Sequence, residues 1–303
     1  MSLPFNLAFS GLSSGLQTRQ ASVGGSVATR GVFGGGYRST TTNVMEYFTI
    51  ATTGNATNFG NLTVARYNLS SVSSDTRGIF AGGLSKNEID YITVATTGNA
   101  TDFGDLTAIS EPAGANSDVR GVFGGTGSTS NIDYITMATT GNAANFGILT
   151  LSRGQPGEQG LNSLTRGVFG GGYSGSVQNV MDYVTIATTG NATDFGDLTV
   201  ARYGASGVNS LTRGVFGGGD GNLNTMDYIT IATTGNATDF GDLTAGRYNC
   251  GGLDNSTRGI FIGGATGSQN VVDYIAIPTT GNATDFGDLT AGTQDGAGVQ
   301  NGL

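Results

Sequence analysis

Histidine is absent from the 303-residue chain. That removes the side chain that most often serves as general base, zinc ligand or centre of a Ser-His-Asp arrangement. The acids that remain include Glu46, Asp90, Asp133, Asp182, Asp227 and Asp273, each standing directly before a tyrosine. Hydrolysis by a carboxylate pair needs two acids in unlike environments. These six are one position copied, so they read as hydrogen-bond partners of turn backbone or of a repeated arginine, and no enzyme activity is expected. A second set of acids, Asp102/Asp105, Asp194/Asp197, Asp239/Asp242 and Asp285/Asp288, brings hard oxygen ligands together. Two acids are too few to hold calcium, and one copy carries Asn145 and Ile148 instead. Strand-end or Asx-turn capping is the preferred reading, with no metal and no cofactor expected. Cys250 is the sole cysteine, so no intrachain disulfide forms, and it reads as a small buried residue. The glycine runs do not open helical patterns, which excludes phosphate loops.

What positions these residues is a repeat. An Arg-Gly pair recurs at Arg30, Arg77, Arg120, Arg166, Arg213 and Arg258, at spacings of 43 to 47 residues. The phenylalanine of the NATDFGDL segment recurs in step, at Phe59, Phe103, Phe146, Phe195, Phe240 and Phe286. Two markers in phase define six structural units, of a length that fits a four-stranded propeller blade or a helix pair. Residue chemistry decides for strands: 54 glycines exceed what helices tolerate, and each unit alternates β-branched and aromatic residues, as in Val180, Met181, Asp182, Tyr183, Val184, Thr185 and Ile186. One unit predicts a weak strand over 203–208, an apolar strand over 213–217, the longest over 225–232 and a fourth over 238–243. Turns such as Thr-Gly-Asn-Ala-Thr join them into an antiparallel meander.

This order of weak strand, apolar strand ending in diglycine, variable loop and acid-Tyr strand resembles the kelch repeat. The family's diglycine maps to Gly34-Gly35, Gly82-Gly83, Gly124-Gly125, Gly170-Gly171, Gly217-Gly218 and Gly263-Gly264. Its third-strand tyrosine maps to Tyr47, Tyr91, Tyr134, Tyr183, Tyr228 and Tyr274. The repeated phenylalanine stands where the family usually has tryptophan, which this chain lacks. Units this uniform are most similar to kelch-like repeats of tailed-phage virion proteins, marine and cyanophage-like ones in particular. The resemblance implies an all-β, six-bladed kelch-like β-propeller with four antiparallel strands per blade. The units are bounded at about 20–64, 65–108, 109–151, 152–200, 201–245 and 246–291, within a propeller spanning 20–295. Residues 1–19 form an N-terminal arm. Residues 296–303 resemble a first strand and are expected to close the ring in place of residues 22–26.

Composition limits the partners. A formal charge of −9 with a single lysine, Lys86, offers no basic face for nucleic acid or an anionic membrane. Residues 1–10 lack a basic start and their apolar run is broken by Pro4 and Asn6, so no signal peptide is expected, nor any membrane-spanning segment.

The loops after the diglycines vary while the rest repeats, an arrangement common in binding proteins. Tyr37, Arg38, Lys86, Tyr173 and Asp220 are the candidate ligand-binding residues, tyrosine and arginine being enriched at binding hot spots. Three functions follow as expectations. The first is a structural or attachment component of a phage virion (tail fibre, spike or capsid decoration). It would be made in the host cytoplasm, released by lysis, and contact other virion proteins and a host surface glycan or receptor; homo-oligomerisation is compatible with that role. The second is a lectin-like carbohydrate-binding propeller, against which the absence of tryptophan counts. The third and least favoured is a propeller-class hydrolase.

Overall fold

The computed structural model describes residues 29–108, 111–126, 129–154, 159–266 and 269–302. They form an all-β, six-bladed propeller, each blade a sheet of four antiparallel strands. From the axis outward, blade 1 uses Ala297–Gln300, Arg30–Gly34, Val44–Thr49 and Thr57–Asn61. Blade 2 uses Ser70–Ser73, Arg77–Ala81, Glu88–Thr93 and Thr101–Asp105; blade 3 uses Ala113–Asn116, Arg120–Thr126, Thr129–Thr136 and Ala144–Ile148. Blade 4 uses Leu161–Asn162, Arg166–Gly170, Val180–Thr185 and Thr193–Asp197; blade 5 uses Ser206–Asn209, Arg213–Gly217, Thr225–Thr230 and Thr238–Asp242. Blade 6 uses Gly251–Asn255, Arg258–Ile262, Val271–Ala276 and Thr284–Asp288. The first strand of each blade packs against the first strands of both neighbours, so these strands line the axis in a closed ring. In blade 1 that strand comes from the C-terminus, with Val299 opposite Val32 and Gly298 opposite Phe33. The N-terminal arm and residues 22–26 lie outside the described residues.

Both faces of every blade are buried, which explains why the second strand reads as an unbroken apolar run rather than an alternation. Val215 and Phe216 point to opposite faces and neither is exposed. Val215 packs with Met226 and Phe240 of its own blade beneath Phe261 and Ile275 of blade 6. Phe216 crosses the other way, into Val168, Met181 and Phe195 of blade 4. Small residues make room for this interleaving: a Cβ on Gly214 would stand 2.3 Å from Leu161 Cδ1. Cys250 is buried in one of these inter-blade clusters.

The outer strand carries a bulge. Met226 faces Gly241 and Asp227 faces Asp239, leaving Phe240 as the extra residue. Its ring meets Tyr228 edge to face at 6.1 Å, and Arg213 lies over the Tyr228 ring at 4.6 Å. The same guanidinium donates to Ile277 O and Pro278 O of the next blade, at 3.2 and 2.7 Å. The repeated Arg-Gly arginine is therefore an inter-blade fastener. The Thr-Gly-Asn-Ala loop is another: Gly281 N and Ala283 N donate to Phe240 O and Asp242 O, each at 2.8 Å, and Asn282 Oδ1 accepts from Asp242 N at 3.1 Å. The free edge of each outer strand is thus covered by its neighbour, which blunts edge-to-edge association. Gly241, at φ 138°, is required there, because a Cβ would meet the Gly281 carbonyl oxygen at 2.6 Å.

One register in the sequence reading is corrected. Gly34 is the last residue of its strand and is matched by Ala81 and Ile262 in other blades. The structural glycine pair is therefore Gly35 and Gly36, matched by Gly82 and Gly83, Gly171 and Gly172, Gly218 and Gly219, and Gly263 and Gly264, all at positive φ. A run of three glycines at 34–36 hides which two the turn needs. The third strand also ends earlier than expected, at Thr230, where Thr233 N turns back to Thr230 O at 3.1 Å.

Because Phe216 is fully buried between two blades, Phe216→Ala is expected to cost about 3–5 kcal/mol in urea denaturation. A loss under about 1 kcal/mol would mean that the interleaved core does not hold the blades together.

Candidate functional site

The acids that precede the repeated tyrosines are held inside the molecule. Thr199, which follows the outer strand of blade 4, donates its N–H and hydroxyl to Asp227 of blade 5, at 3.2 and 2.5 Å. Thr63 does the same to Asp90, Thr107 to Asp133 and Thr244 to Asp273. The arginine that pairs with the acid is not the repeated Arg-Gly residue, which stacks on tyrosine, but one in the linker between blades. Arg66–Asp90, Arg153–Asp182, Arg202–Asp227 and Arg247–Asp273 lie 3.1, 2.9, 2.7 and 2.8 Å apart, with no exposed side-chain surface on either partner. Arg202 also donates to Gly218 O and Thr225 O, at 2.9 and 2.8 Å. Burial lowers the Arg202 guanidinium from its ordinary range, while Asp227 and Asp220 work to hold it charged.

The glycine pair exists for this arginine. Gly172 N donates to Arg202 O at 2.8 Å, and a Cβ on Gly219 would stand 2.8 Å from Arg202 Cβ. The arginine thus joins two blades, by its backbone to one and its side chain to the next. Where the linker has Thr293 instead, the acid is the longer Glu46, and it pairs with Arg38 at 3.1 Å. Blade 3 has no arginine in its linker, and Asp133 is held by Thr107.

The loops after the second strands and the linkers between blades meet at one end of the disc, hydrogen-bonded through their backbones. Tyr37 N donates to Gln294 O, Asp220 N to Tyr203 O and Ala265 N to Tyr248 O, at 2.8, 3.0 and 2.8 Å. Of the five residues singled out from the sequence, Tyr37 and Tyr173 present large exposed surface, 38% and 49%. Arg38 is half-buried against Glu46, and Lys86 lies 3.5 Å from Glu88. Asp220 is half-buried and accepts from Tyr203 N at 3.2 Å.

The structure adds residues that loop variability alone did not single out. Tyr67 and Tyr203, in the linkers, meet Tyr37 and Tyr173 edge to face at 5.9 and 6.1 Å. Burial raises the Tyr203 hydroxyl above its ordinary range, helped by Asp220, Tyr248 and Tyr173. Tyr173, Tyr203, Tyr248 and Asp220 therefore form one cluster across blades 4 to 6. Its signal in the sequence is the Arg-Tyr pair at 66–67, 202–203 and 247–248. Such a cluster suits an amphipathic ligand, offering ring faces and edges with hydroxyl and carboxylate partners.

At the axial mouth of the same end, Asn68, Gly204, Asn249 and Asp295 share a left-handed backbone conformation, with φ between 54° and 64°. Asn68 N donates to Asp295 O, Asp295 N to Asn249 O and Asn249 N to Gly204 O, at 2.9, 2.9 and 2.7 Å. The Asp295 carboxylate accepts from Gln294 Nε2 at 2.8 Å and from Asn249 Nδ2. Burial nevertheless pushes its pKa up to about 6, with Glu111 adding to the rise.

No protein-family model and no curated protein matches the chain, and the reading of this face rests on its geometry. Arg202→Met strands Asp227 in a buried site and is expected to cost about 3–5 kcal/mol, part of which Asp227→Asn in the same chain should restore. An undiminished melting temperature in the single variant would show that the pair does not fasten the blades. For Asp295, the folded carboxyl at about 6 holds its proton more tightly than the ordinary carboxyl at 3.8. Its contribution is therefore fully present below 3.8, fades as pH rises through 6, and is gone above it. Between pH 8 and pH 5 the wild-type melting temperature should rise on acidification, and Asp295→Asn should flatten that rise. Identical slopes for the two proteins would refute the assignment.

Proposed function

We propose that the chain is a non-enzymatic structural or attachment component of a phage virion, such as a tail fibre, spike or capsid decoration, that grips its partner with the loop face. One observation carries the reading: exposed aromatic side chains gather on the face whose loops differ between copies, whereas the repeated acids and arginines are consumed in joining blades. A disc fastened at rim, mid-radius and axis suits a rigid platform for variable contacts. The kelch-like character of the units and their likeness to tailed-phage virion repeats supply the virion part of the proposal. Carbohydrate is a second ligand class favoured by a specific feature, the cluster of Tyr173, Tyr203 and Tyr248 beside Asp220. A hydrolase is disfavoured, because each acid that precedes a repeated tyrosine already serves a threonine, an arginine or both.

The test is mass spectrometry on density-purified particles from a culture that produces the chain. A fixed copy number relative to a capsid protein is expected. Absence from the particles would overturn the virion role, and a glycan screen of the free protein, with Tyr173→Ala as control, would then decide for or against the lectin-like reading.

A further inference from the structure

The axis holds a carboxylate whose charge the hydrogen bonds do not require. The last residues of the six inner strands, or their equivalents, are Ser73, Asn116, Asn162, Asn209, Asp254 and Gln300. They form a polar ring in which a side-chain oxygen takes the backbone N–H of the preceding blade. Asn209 Oδ1 accepts from Asn162 N at 3.0 Å, and Asn116 Oδ1 from Ser73 N at 3.2 Å. Asp254 Oδ2 accepts from Asn209 N in the same way, at 2.8 Å. A neutral amide would serve equally, as that of Asn209 does in the adjacent blade.

Asp254 is 5% exposed, and among the described residues none of the ion pairs reaches it. The buried aspartates of blades 2, 4, 5 and 6 on the third strand each have a guanidinium within 3.1 Å. An isolated buried carboxylate is costly, so either it holds a proton or a bound cation offsets its charge. Two further buried polar atoms, on residues that line the same cavity, have no hydrogen-bond partner among the described residues. Gln300 Nε2 donates to Asp254 Oδ1 at 3.3 Å while its Oε1 is left over, and Asn162 Nδ2 is left over as well. Gln300 and Asn162 are 8% and 7% exposed. The Asn162 amide can present either atom, since its two ends are interchangeable in shape. The cavity they line has a volume of about 20 Å³, enough for one water or one ion of similar size. Gln159 also lines it, and its amide donates to Ser71 Oγ at 2.8 Å.

We propose that this axial cavity is a binding site for a single hard, oxygen-seeking cation of sodium or calcium size, held by Asp254 with the amide oxygens of Gln300, Asn209 and Asn162. Only oxygen ligands are offered, which selects against soft metals. One carboxylate among neutral amides makes the site weak, in the millimolar class of low-charge calcium sites. Such a cation would tie blades 4, 5 and 6 to the C-terminal strand of blade 1. Its role would be to stabilise the closed ring, independently of what the loop face grips.

The test uses the full chain, treated with chelator and dialysed into choline chloride, with calcium or sodium chloride then added at constant ionic strength. The melting temperature should rise by several degrees with one of the two, and the rise should vanish in Asp254→Asn. Gln300→Leu, which keeps the carboxylate but removes an amide oxygen, should weaken the response several-fold. A wild-type melting temperature indifferent to both cations would overturn the proposal and leave Asp254 as a protonated acid bonded to Gln300. An equal cation response in Asp254→Asn would overturn it as well, by placing the cation elsewhere.

Discussion

The burial of a carboxylate between two blades is the interaction on which the rest of the disc depends. Asp227 sits where the outer end of blade 4, the linker and the third strand of blade 5 converge, and it satisfies Thr199 from one blade and Arg202 from the linker. A buried ion pair is weak evidence of net stability, because desolvation opposes its attraction. Its geometric demand is what matters here. The arginine must pass over a residue without a side chain, so the turn after the second strand needs Gly219, and the linker backbone must reach Gly172. The threonine, arginine, glycine pair and aspartate are four separate features of the repeat and one physical object.

Variation among the blades supports that view. Where the linker arginine is replaced by Thr293, the acid lengthens to Glu46 and takes Arg38 from its own loop. A buried acid has been supplied with a cation from another direction, at the expense of a loop residue that would otherwise face solvent. In blade 3 no ion pair reaches Asp133 among the described residues, and the threonine remains, its hydroxyl meeting both oxygens of Asp133 at 2.8 Å. The fastening is therefore tolerant in its charge and strict in its threonine.

Fastening at three radii has a functional consequence. Rim loops cover the outer edges, stacked Arg-Tyr-Phe triples and buried ion pairs join the blades at mid-radius, and a polar ring with left-handed turns closes the axis. Loops rooted in such a frame can differ from copy to copy without loss of the disc, and their backbones are further pinned by the linker tyrosines. Tyr173 and Tyr203 thus belong to a preorganised surface, which under the proposed function would lower the ordering cost that flexible loops pay on binding.

The sequence by itself determined the repeat, the number of blades, the four-strand meander and the apolar character of the second strand, because these depend on local spacing and turn chemistry within one unit. Tertiary structure decided which partners those residues meet. Asp227 and its arginine are 25 positions apart, but so are many residues that never touch; only the stacking of one blade on the next selects Arg202 over Arg213. The glycine register was hidden for a like reason, since what fixes it is the backbone of a linker from the following blade. The axial residues, Gln159, Asp254 and Asp295, lay in the weakest strand and the least regular linkers of the repeat. Their meaning arises only when six inner strands converge and leave polar side chains with no water around them.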